Sequence, residues 1–236
     1  FRGAEVRDSR AWSRYIDVAL MTFGGQAEAL IGQHHWPVWG SGAIRSYLAK
    51  QRDLYKYVHD QTLRLINHGH TPNEIAELLT LPDSLAHQWY ARGYYGTVRH
   101  NAKAVYQKYL GWYDGNPAHL DSLPPREAAR KYVDYFGGFD AALTKAKADF
   151  AKGEYRWVAE IANHLVFANP AHQEARTLAA DAYEQLGYLS EAATWRNSYL
   201  FAAHELRNSV PQMTARGGVA PDALAALPLD TFFDLL

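Results

Sequence analysis

A repeat with a period of 34 residues is the strongest constraint on the fold of this chain. The stretch 151–162 (AKGEYRWVAEIA) is similar to 184–195 (EQLGYLSEAATW), and Gly153 lies 34 residues before Gly187. This is the period of the helix–turn–helix unit of tetratricopeptide proteins. Only about two units fit between residues 126 and 206, whereas a free-standing array needs about three. We therefore expect a helical domain with tetratricopeptide-like helix pairs rather than a free solenoid.

Helical patterns also fill the stretch before that repeat. A long amphipathic helix is predicted to have Ser41 as its cap and to end at Gly69, because its apolar residues recur three and four positions apart. A second helix is predicted to begin at Thr71, where a capping threonine is followed by Pro72 at the first helical position and by Glu74. The fold class predicted for the chain is mainly α.

The first 40 residues combine a helix with a short strand. Residues 10–23 place apolar side chains at near-helical spacing. Residues 28–33 (EALIGQ) predict a short buried strand that runs into His34 and His35. A histidine at the end of a strand is supported by rigid backbone, which suits a metal ligand. A short α/β segment is thus expected before the helical part.

Composition excludes several classes of function. There are no cysteines, so any metal must be held by His, Asp or Glu. Basic and acidic residues number 24 and 25 for a formal net charge of -1, which does not favour nucleic acid as a partner. Because no apolar run approaches the length of about 20 residues that spans a bilayer, no membrane span is expected.

The pair His34-His35 is the sharpest candidate for metal binding. Adjacent residues of an extended segment point to opposite sides, so one ring can face a metal while the other is held elsewhere. The alternative is that both rings simply pack beside Trp36 and Trp39. Spacing alone leaves both interpretations open.

The string His68-Gly69-His70 has the His-x-His pattern with which many metal-dependent hydrolases begin their ligand set. Here it falls where one predicted helix ends and the next begins, and no Asp-His follows two residues on. A histidine that hydrogen-bonds or carries charge at a helix carboxyl end is the more common explanation. We interpret these histidines as structural.

Residues 71–92 have the length and spacing of a helix-turn-helix DNA reader. Such a motif presents basic residues on its second helix. The second helix here offers Asp83, His87, Gln88 and Arg92, with no basic cluster. An ordinary helical hairpin is the preferred interpretation.

Aromatic side chains are dense among cations between residues 90 and 113. The cations are Arg92, Arg99, His100 and Lys103, and the aromatic residues are Tyr90, Tyr94, Tyr95, Tyr106, Tyr109, Trp112 and Tyr113. Amphipathic aromatics beside cations suit a ligand with an anionic head and an apolar tail. A dimer interface uses the same residue types, so both interpretations stay open. Tyr106 is our candidate from this group for a substrate contact.

Five strings of uncommon residues carry a likeness to a known family. They are HHWPVWG (34–40), YVHDQT (57–62), NHGHT (67–71), RGYYGTVRHN (92–101) and YLGWYDGNP (109–117). In these strings, and in order over residues 1–205, the chain resembles the alkyl sulfatases of the metallo-β-lactamase superfamily.

The resemblance implies a three-part homodimeric enzyme that uses two zinc ions to hydrolyse alkyl sulfate esters, of the dodecyl sulfate type, to alcohol and sulfate. It implies that residues 1–45 end the catalytic domain, as a short α/β remnant of a metallo-β-lactamase domain. Residues 46–206 would form the helical dimerisation domain. Residues 207–236 would form a linker and the start of a sterol-carrier-like domain.

The resemblance also implies roles for individual residues. His34 matches the last zinc-ligating histidine of the family, and Arg2 matches its sulfate-contacting arginine. His100 or Tyr95 is a candidate general acid for the leaving alkoxide. The other zinc ligands are expected before Phe1, so the chain alone is expected to be inactive. The alternative function is a non-catalytic helical protein-interaction module.

Overall fold

The computed structural model describes residues 6–208, 226 and 228–234. Within them the chain is mainly helical, with one small sheet of two antiparallel strands. Strand β1 (Ala29–Leu30) pairs with β2 (Val38–Trp39), Ala29 opposite Trp39 and Leu30 opposite Val38. The predicted mainly α fold, with a short α/β segment in front, is confirmed.

The described residues form eleven α-helices and two short 3-10 turns. The helices are α1 (Ser9–Phe23), α2 (Ser41–Asn67), α3 (Pro72–Leu78), α4 (Asp83–Ala86), α5 (Val98–Leu110), α6 (Pro125–Tyr135), α7 (Phe139–Ala151), α8 (Tyr155–Ala168), α9 (Gln173–Tyr188), α10 (Ala193–Arg207) and α11 (Leu229–Asp234). The 3-10 turns are Trp89–Ala91 and Pro117–His119. No helix in the described part of the chain is long and apolar enough to cross a membrane.

Helix ends follow the local chemistry of the sequence. Helix α2 ends before Gly69, whose φ of 83° lies in the left-handed region that glycine adopts without strain. Helix α3 begins with the predicted capping box: Thr71 accepts a bond from the Glu74 amide, and the Glu74 carboxylate accepts one from the Thr71 amide at 2.8 Å. At the start of α2 the prediction was one residue off, because Gly40 is the cap and Ser41 the first helical residue.

Residues 71–92 contain α3, the short helix α4 and a 3-10 turn. Helix α4 spans only Asp83–Ala86, which is four residues. A recognition helix must reach along a DNA groove and present several side chains, and α4 is too short for that. A DNA-reading role is therefore disfavoured; α3 contacts mainly α5, whereas α4 contacts α2.

Two hydrophobic cores hold the helices together. The first lies between α2, α3 and α5 and contains Leu65, Ile75, Leu79, Ala102 and Tyr106. The second lies between α6, α7, α8 and α9 and includes Val133, Leu143, Val158, Leu165 and Leu178. Helix α9 packs against both α8 and α10, so the helix pairs predicted from the repeat are present.

The two repeat glycines serve different physical needs. Gly153 lies in the turn between α7 and α8, where its φ of 82° favours glycine. Gly187 lies within α9, and a Cβ there would meet the Leu200 side chain of α10 at 2.8 Å. One glycine therefore permits a turn, whereas the other permits two helices to approach closely.

The buried strand predicted over residues 28–33 was wrong in extent and in burial. Only Ala29 and Leu30 form β1, Ala29 is exposed, and Ile31 is 77% exposed. Its one described neighbour is the two-residue strand β2, and so small a ladder does not bury a face. The turn that follows it, rather than the strand, carries His34.

Candidate active-site cleft

A cleft of about 780 Å³ lies between the start of α1, the middle of α2 and the segment 90–101. This volume is within the usual range for a small-molecule site. The side chains important for its chemistry are Arg7, Trp12, His34, Tyr55, Tyr94 and Tyr95. The cleft therefore gathers residues that are far apart in the chain.

The two adjacent histidines have different surroundings. His34 is exposed, lines the cleft and has no hydrogen-bond partner among residues 6–208. His35 is held on both sides: its Nδ1 donates to the Trp36 carbonyl at 2.6 Å, and its Nε2 lies 2.7 Å from the Tyr47 hydroxyl. Because a carbonyl only accepts, Nδ1 carries the proton and Nε2 accepts from Tyr47. Only His34 has ring nitrogens available toward the cleft.

Arg7 and two aromatic rings form one wall of the cleft. The rings of Trp12 and Tyr55 stack with centroids 5.7 Å apart. Burial raises the pKa of Tyr55, and the nearby Arg7 guanidinium opposes part of that rise. Arg7 itself is exposed and forms no ion pair within the described part of the chain. This wall combines a cation with apolar surface.

The cleft also contains a second arginine, whose charge is already matched. Arg92 Nη2 lies 2.5 Å from Oε1 of Glu191, and the guanidinium also sits over the Tyr94 ring, 5.6 Å from its centroid. Arg92 is thus held by a carboxylate and an aromatic face at once. Of the two arginines, Arg7 is the more available to an anion.

The segment that carries Tyr94 and Tyr95 is anchored from two directions. On the α2 side, Gln51 Nε2 donates to the Tyr90 carbonyl at 2.9 Å. On the α10 side, the Ala193 amide donates to the Tyr94 carbonyl at 2.8 Å, and Thr194 Oγ1 donates to the Tyr95 carbonyl at 2.6 Å. These bonds give a loop a defined conformation.

The two candidate acids occupy different positions. Tyr95 is 55% exposed and lines the cleft. His100, in the first turn of α5, is half-buried, and its Nδ1 accepts a hydrogen bond from the Trp195 indole at 3.0 Å. That bond requires Nδ1 to be unprotonated, so the single proton of the ring is on Nε2. The structure does not test which of them donates a proton, and both stay predictions.

The remaining predicted residues lie away from this cleft or outside the described residues. Tyr106 is 5% exposed within the core between α2, α3 and α5, where burial raises its pKa. It faces that core because Ala102 and Tyr106, four positions apart, share one side of α5. Its role as a substrate contact stays a prediction. Arg2 lies outside the described residues.

The other aromatic residues of the dense stretch divide between several sites. The Tyr109 hydroxyl lies 2.7 Å from Nε2 of buried His59, and neither residue lines the cleft. Trp112 packs edge-on against Tyr113 and is 70% exposed. Aromatic residues that are close together in the sequence therefore lie at different sites in the fold.

Three cleft residues were not singled out from the sequence: Arg7, Trp12 and Tyr55. Trp12 and Tyr55 belong to helical apolar stripes, which predict burial rather than a site, and Arg7 belongs to no motif. A further one is Asn101, whose buried Oδ1 has no hydrogen-bond partner within the described residues. Its position four residues after Thr97, the cap of α5, is the signal that places it near the loop.

Zinc does not fit the described residues taken alone. A protein zinc site needs three or four ligands, and residues 6–208, 226 and 228–234 contain no group of three or more His, Asp or Glu close enough to hold a metal. His34 is one nitrogen donor at the edge of the cleft.

Comparison with known families gives a match over more than half of the chain. A family model described as "Alkyl sulfatase dimerisation" matches residues 71–209. The matched region begins at the cap of α3 and ends just after α10. It therefore includes Tyr94, Tyr95 and the anchoring residues of α10.

Curated relatives and solved structures match the chain from end to end. It is 56% identical over 235 residues to an alkyl/aryl-sulfatase of Saccharomyces cerevisiae, covering 100% of this chain and 36% of that protein. It is 52% identical over 236 residues to an (R)-specific secondary-alkylsulfatase of a Pseudomonas species, covering 100% of this chain and 35% of that protein.

The solved structure of a stereoselective inverting sec-alkylsulfatase from Pseudomonas superposes with a TM-score of 0.90 at 51% identity, over 99% of this chain and 37% of that one. The chain thus spans about a third of the length of the relatives it matches.

Proposed function

Since this chain belongs to the alkyl sulfatase dimerisation family, we propose that it supplies a dimerisation region and one wall of the active site to an enzyme that hydrolyses alkyl sulfate esters. The products are an alcohol and sulfate. One observation carries the proposal: a single cleft combines the cation Arg7, which forms no ion pair with any described residue, with the stacked apolar rings of Trp12 and Tyr55.

That combination matches the two ends of an alkyl sulfate. The sulfate head is an anion, and a guanidinium binds such oxygens with two parallel hydrogen bonds. The alkyl tail gains about 0.8 kcal/mol for each methylene removed from water, and Trp12 and Tyr55 offer apolar surface for it. A cation beside the sulfate ester also stabilises the negative charge that develops as the ester bond breaks.

Tyr95 is the proposed donor of a proton to the alkoxide that leaves when water attacks the sulfur atom and the S–O ester bond breaks, supported by its place on the cleft wall. A second proton on His100 would have to displace the hydrogen bond from Trp195, because that bond occupies Nδ1. For this reason His100 is the less favoured donor of the two. Replacement of Tyr95 by Phe should lower kcat more than it raises KM.

His34 is proposed as a zinc ligand, with support from the resemblance and from its place at the cleft edge, where no described residue hydrogen-bonds its ring. Zinc content of the protein, purified from its complete reading frame, tests this. His34→Ala should lose bound zinc, whereas His35→Ala is a matched control that should keep it. Equal zinc content in both variants would contradict the assignment.

A homodimer is proposed on the strength of the family description, which names dimerisation. Light scattering coupled to size-exclusion chromatography gives the molar mass directly. A monomer at micromolar concentration would contradict the proposal. A dimer without activity would instead support the alternative, a non-catalytic helical interaction module.

The activity is tested by sulfate release from dodecyl sulfate and from secondary alkyl sulfates. The protein expressed from its complete reading frame, with added zinc, should release sulfate and should be less active on alkyl phosphates of equal chain length. Absence of sulfate release from every alkyl sulfate would refute the proposed function.

A further inference from the structure

We propose that the beginning of α10 is a positioning device for the cleft, and that it sets the orientation of the loop carrying Tyr94 and Tyr95. We call it the α10 clamp and define it as Glu191, Ala193, Thr194 and Trp195. Its catalytic consequence rests on the proposed function, whereas its structural consequence does not.

The clamp makes two hydrogen bonds to consecutive backbone carbonyls. The Ala193 amide donates to the Tyr94 carbonyl at 2.8 Å, and Thr194 Oγ1 donates to the Tyr95 carbonyl at 2.6 Å. With both carbonyls bonded on the α10 side, the peptide planes that follow Tyr94 and Tyr95 are restrained. The side chains of Tyr94 and Tyr95 are thereby left lining the cleft.

Two side-chain contacts extend the clamp on either side of these bonds. Before the tyrosines, Glu191 pairs with Arg92 at 2.5 Å and so fixes the guanidinium that lies over the Tyr94 ring. After them, the Trp195 indole donates to His100 at 3.0 Å. Successive residues of the clamp thus contact successive positions of segment 92–100, in the same order along the chain.

The clamp joins parts of the chain that otherwise have separate cores. Thr194 and Tyr95 are 99 residues apart in sequence. Tyr95 precedes α5, which belongs to the first core, and Thr194 is in α10, which packs on α9 of the second. The geometry of the cleft therefore depends on how the helix pairs are docked, and Thr194 is a positioning residue that touches no substrate.

A pair of substitutions at one position isolates the hydroxyl of Thr194. Thr194→Val keeps the shape and removes the donor, whereas Thr194→Ser keeps the donor. Thr177→Val is the matched control, because the Thr177 hydroxyl bonds within its own helix, to the Gln173 carbonyl at 3.0 Å. All three variants are compared with the wild type in the protein expressed from its complete reading frame.

Kinetics of dodecyl sulfate hydrolysis should separate positioning from folding. Misplacing a reacting group costs about tenfold to a hundredfold in rate, so Thr194→Val should lose at least about tenfold in kcat with KM changed less. Thr194→Ser and Thr177→Val should stay near wild type. Wild-type kcat in Thr194→Val, or equal losses in the Val and Ser variants, would overturn the proposal.

Hydrogen exchange measured by mass spectrometry tests the clamp even if no alkyl sulfate is hydrolysed. The peptide covering residues 90–101 should exchange faster in Thr194→Val than in wild type, Thr194→Ser or Thr177→Val. An inactive wild type with this pattern would refute the proposed function and leave the clamp intact. Unchanged exchange in Thr194→Val would refute the clamp.

Discussion

Trp195 donates its indole N–H to Nδ1 of His100 at 3.0 Å, with the two rings edge-on and their centroids 5.9 Å apart. The residues belong to α10 and α5, helices from different cores. A donor fixed on one nitrogen leaves the proton of a neutral imidazole on the other. The tautomer of a histidine near the cleft is therefore set from the opposite half of the molecule.

Removal of that donor should change the tautomer of His100. Trp195→Phe keeps an aromatic ring of similar position but has no N–H. Nitrogen NMR of histidine-labelled protein should show one tautomer, protonated on Nε2, in the wild type and a mixture in the variant. Trp157→Phe, at a residue 48% exposed on α8, is the control. An unchanged His100 signal in Trp195→Phe would contradict the assignment.

Arg7 should contribute to anion binding in the cleft. A hydrogen bond to a charged group is worth about 1.5–3 kcal/mol, so Arg7→Gln should raise KM for dodecyl sulfate by at least about tenfold. Arg10→Gln alters an exposed arginine in the first turn of α1 that does not line this cleft, and so controls for the loss of charge. Equal effects of the two substitutions would show that net charge alone, rather than the position of Arg7, attracts the anion.

Glu77 should make the free energy of unfolding depend on pH in the acidic range. Hydrogen bonding from Arg99, with a smaller contribution from Arg156, holds the pKa of Glu77 below its usual value. Its folded-state pKa lies below its unfolded one, so the stabilisation is present above the unfolded value and is lost as the pH falls through the folded one. Below a pH of about 4.5, the wild type should lose stability faster than Glu77→Gln.

Denaturant unfolding measured at several pH values tests this. Glu77→Gln should be less stable than wild type at pH 7 and more nearly equal to it near pH 3, since both then carry a neutral side chain. The Glu77 carboxylate joins α3 to α5 and α8. Parallel pH profiles for the two proteins would mean that it contributes nothing to the free energy of unfolding.

Replacement of Gly187 by any larger residue should destabilise the protein. A Cβ at this position would lie 2.8 Å from the Leu200 side chain, and overpacking of this kind costs about 1–3 kcal/mol. Gly42→Ala, in α2, is the matched control, because a Cβ there meets nothing within 4 Å and alanine favours a helix. The free energy of unfolding should fall for Gly187→Ala and rise for Gly42→Ala. A change of the same sign in both would contradict the packing argument.

Features encoded by neighbouring residues were predictable from the sequence. The cap at Thr71, the stop at Gly69 and the helix pairs of the second half each depend on contacts within a few residues or one repeat. These local rules hold whatever the rest of the chain does. They account for the fold class.

The cleft was less predictable because long-range contacts build it. Tyr95 and Tyr106 belong to one aromatic stretch, yet one lines the cleft and the other is buried in a core. The division follows from which side of α5 faces α3, and from bonds between Tyr95 and a residue 99 positions away. No periodicity in the sequence marks such a bond.

The α10 clamp also restricts how members of this family can exchange parts during evolution. A recombination event between residues 101 and 190 would join a loop from one parent to an α10 from another. Such a hybrid keeps two well-packed cores but inherits four cross-contacts that were never selected together. Functional hybrids should therefore carry segment 92–100 and residues 191–195 from the same parent, wherever between them the crossover falls.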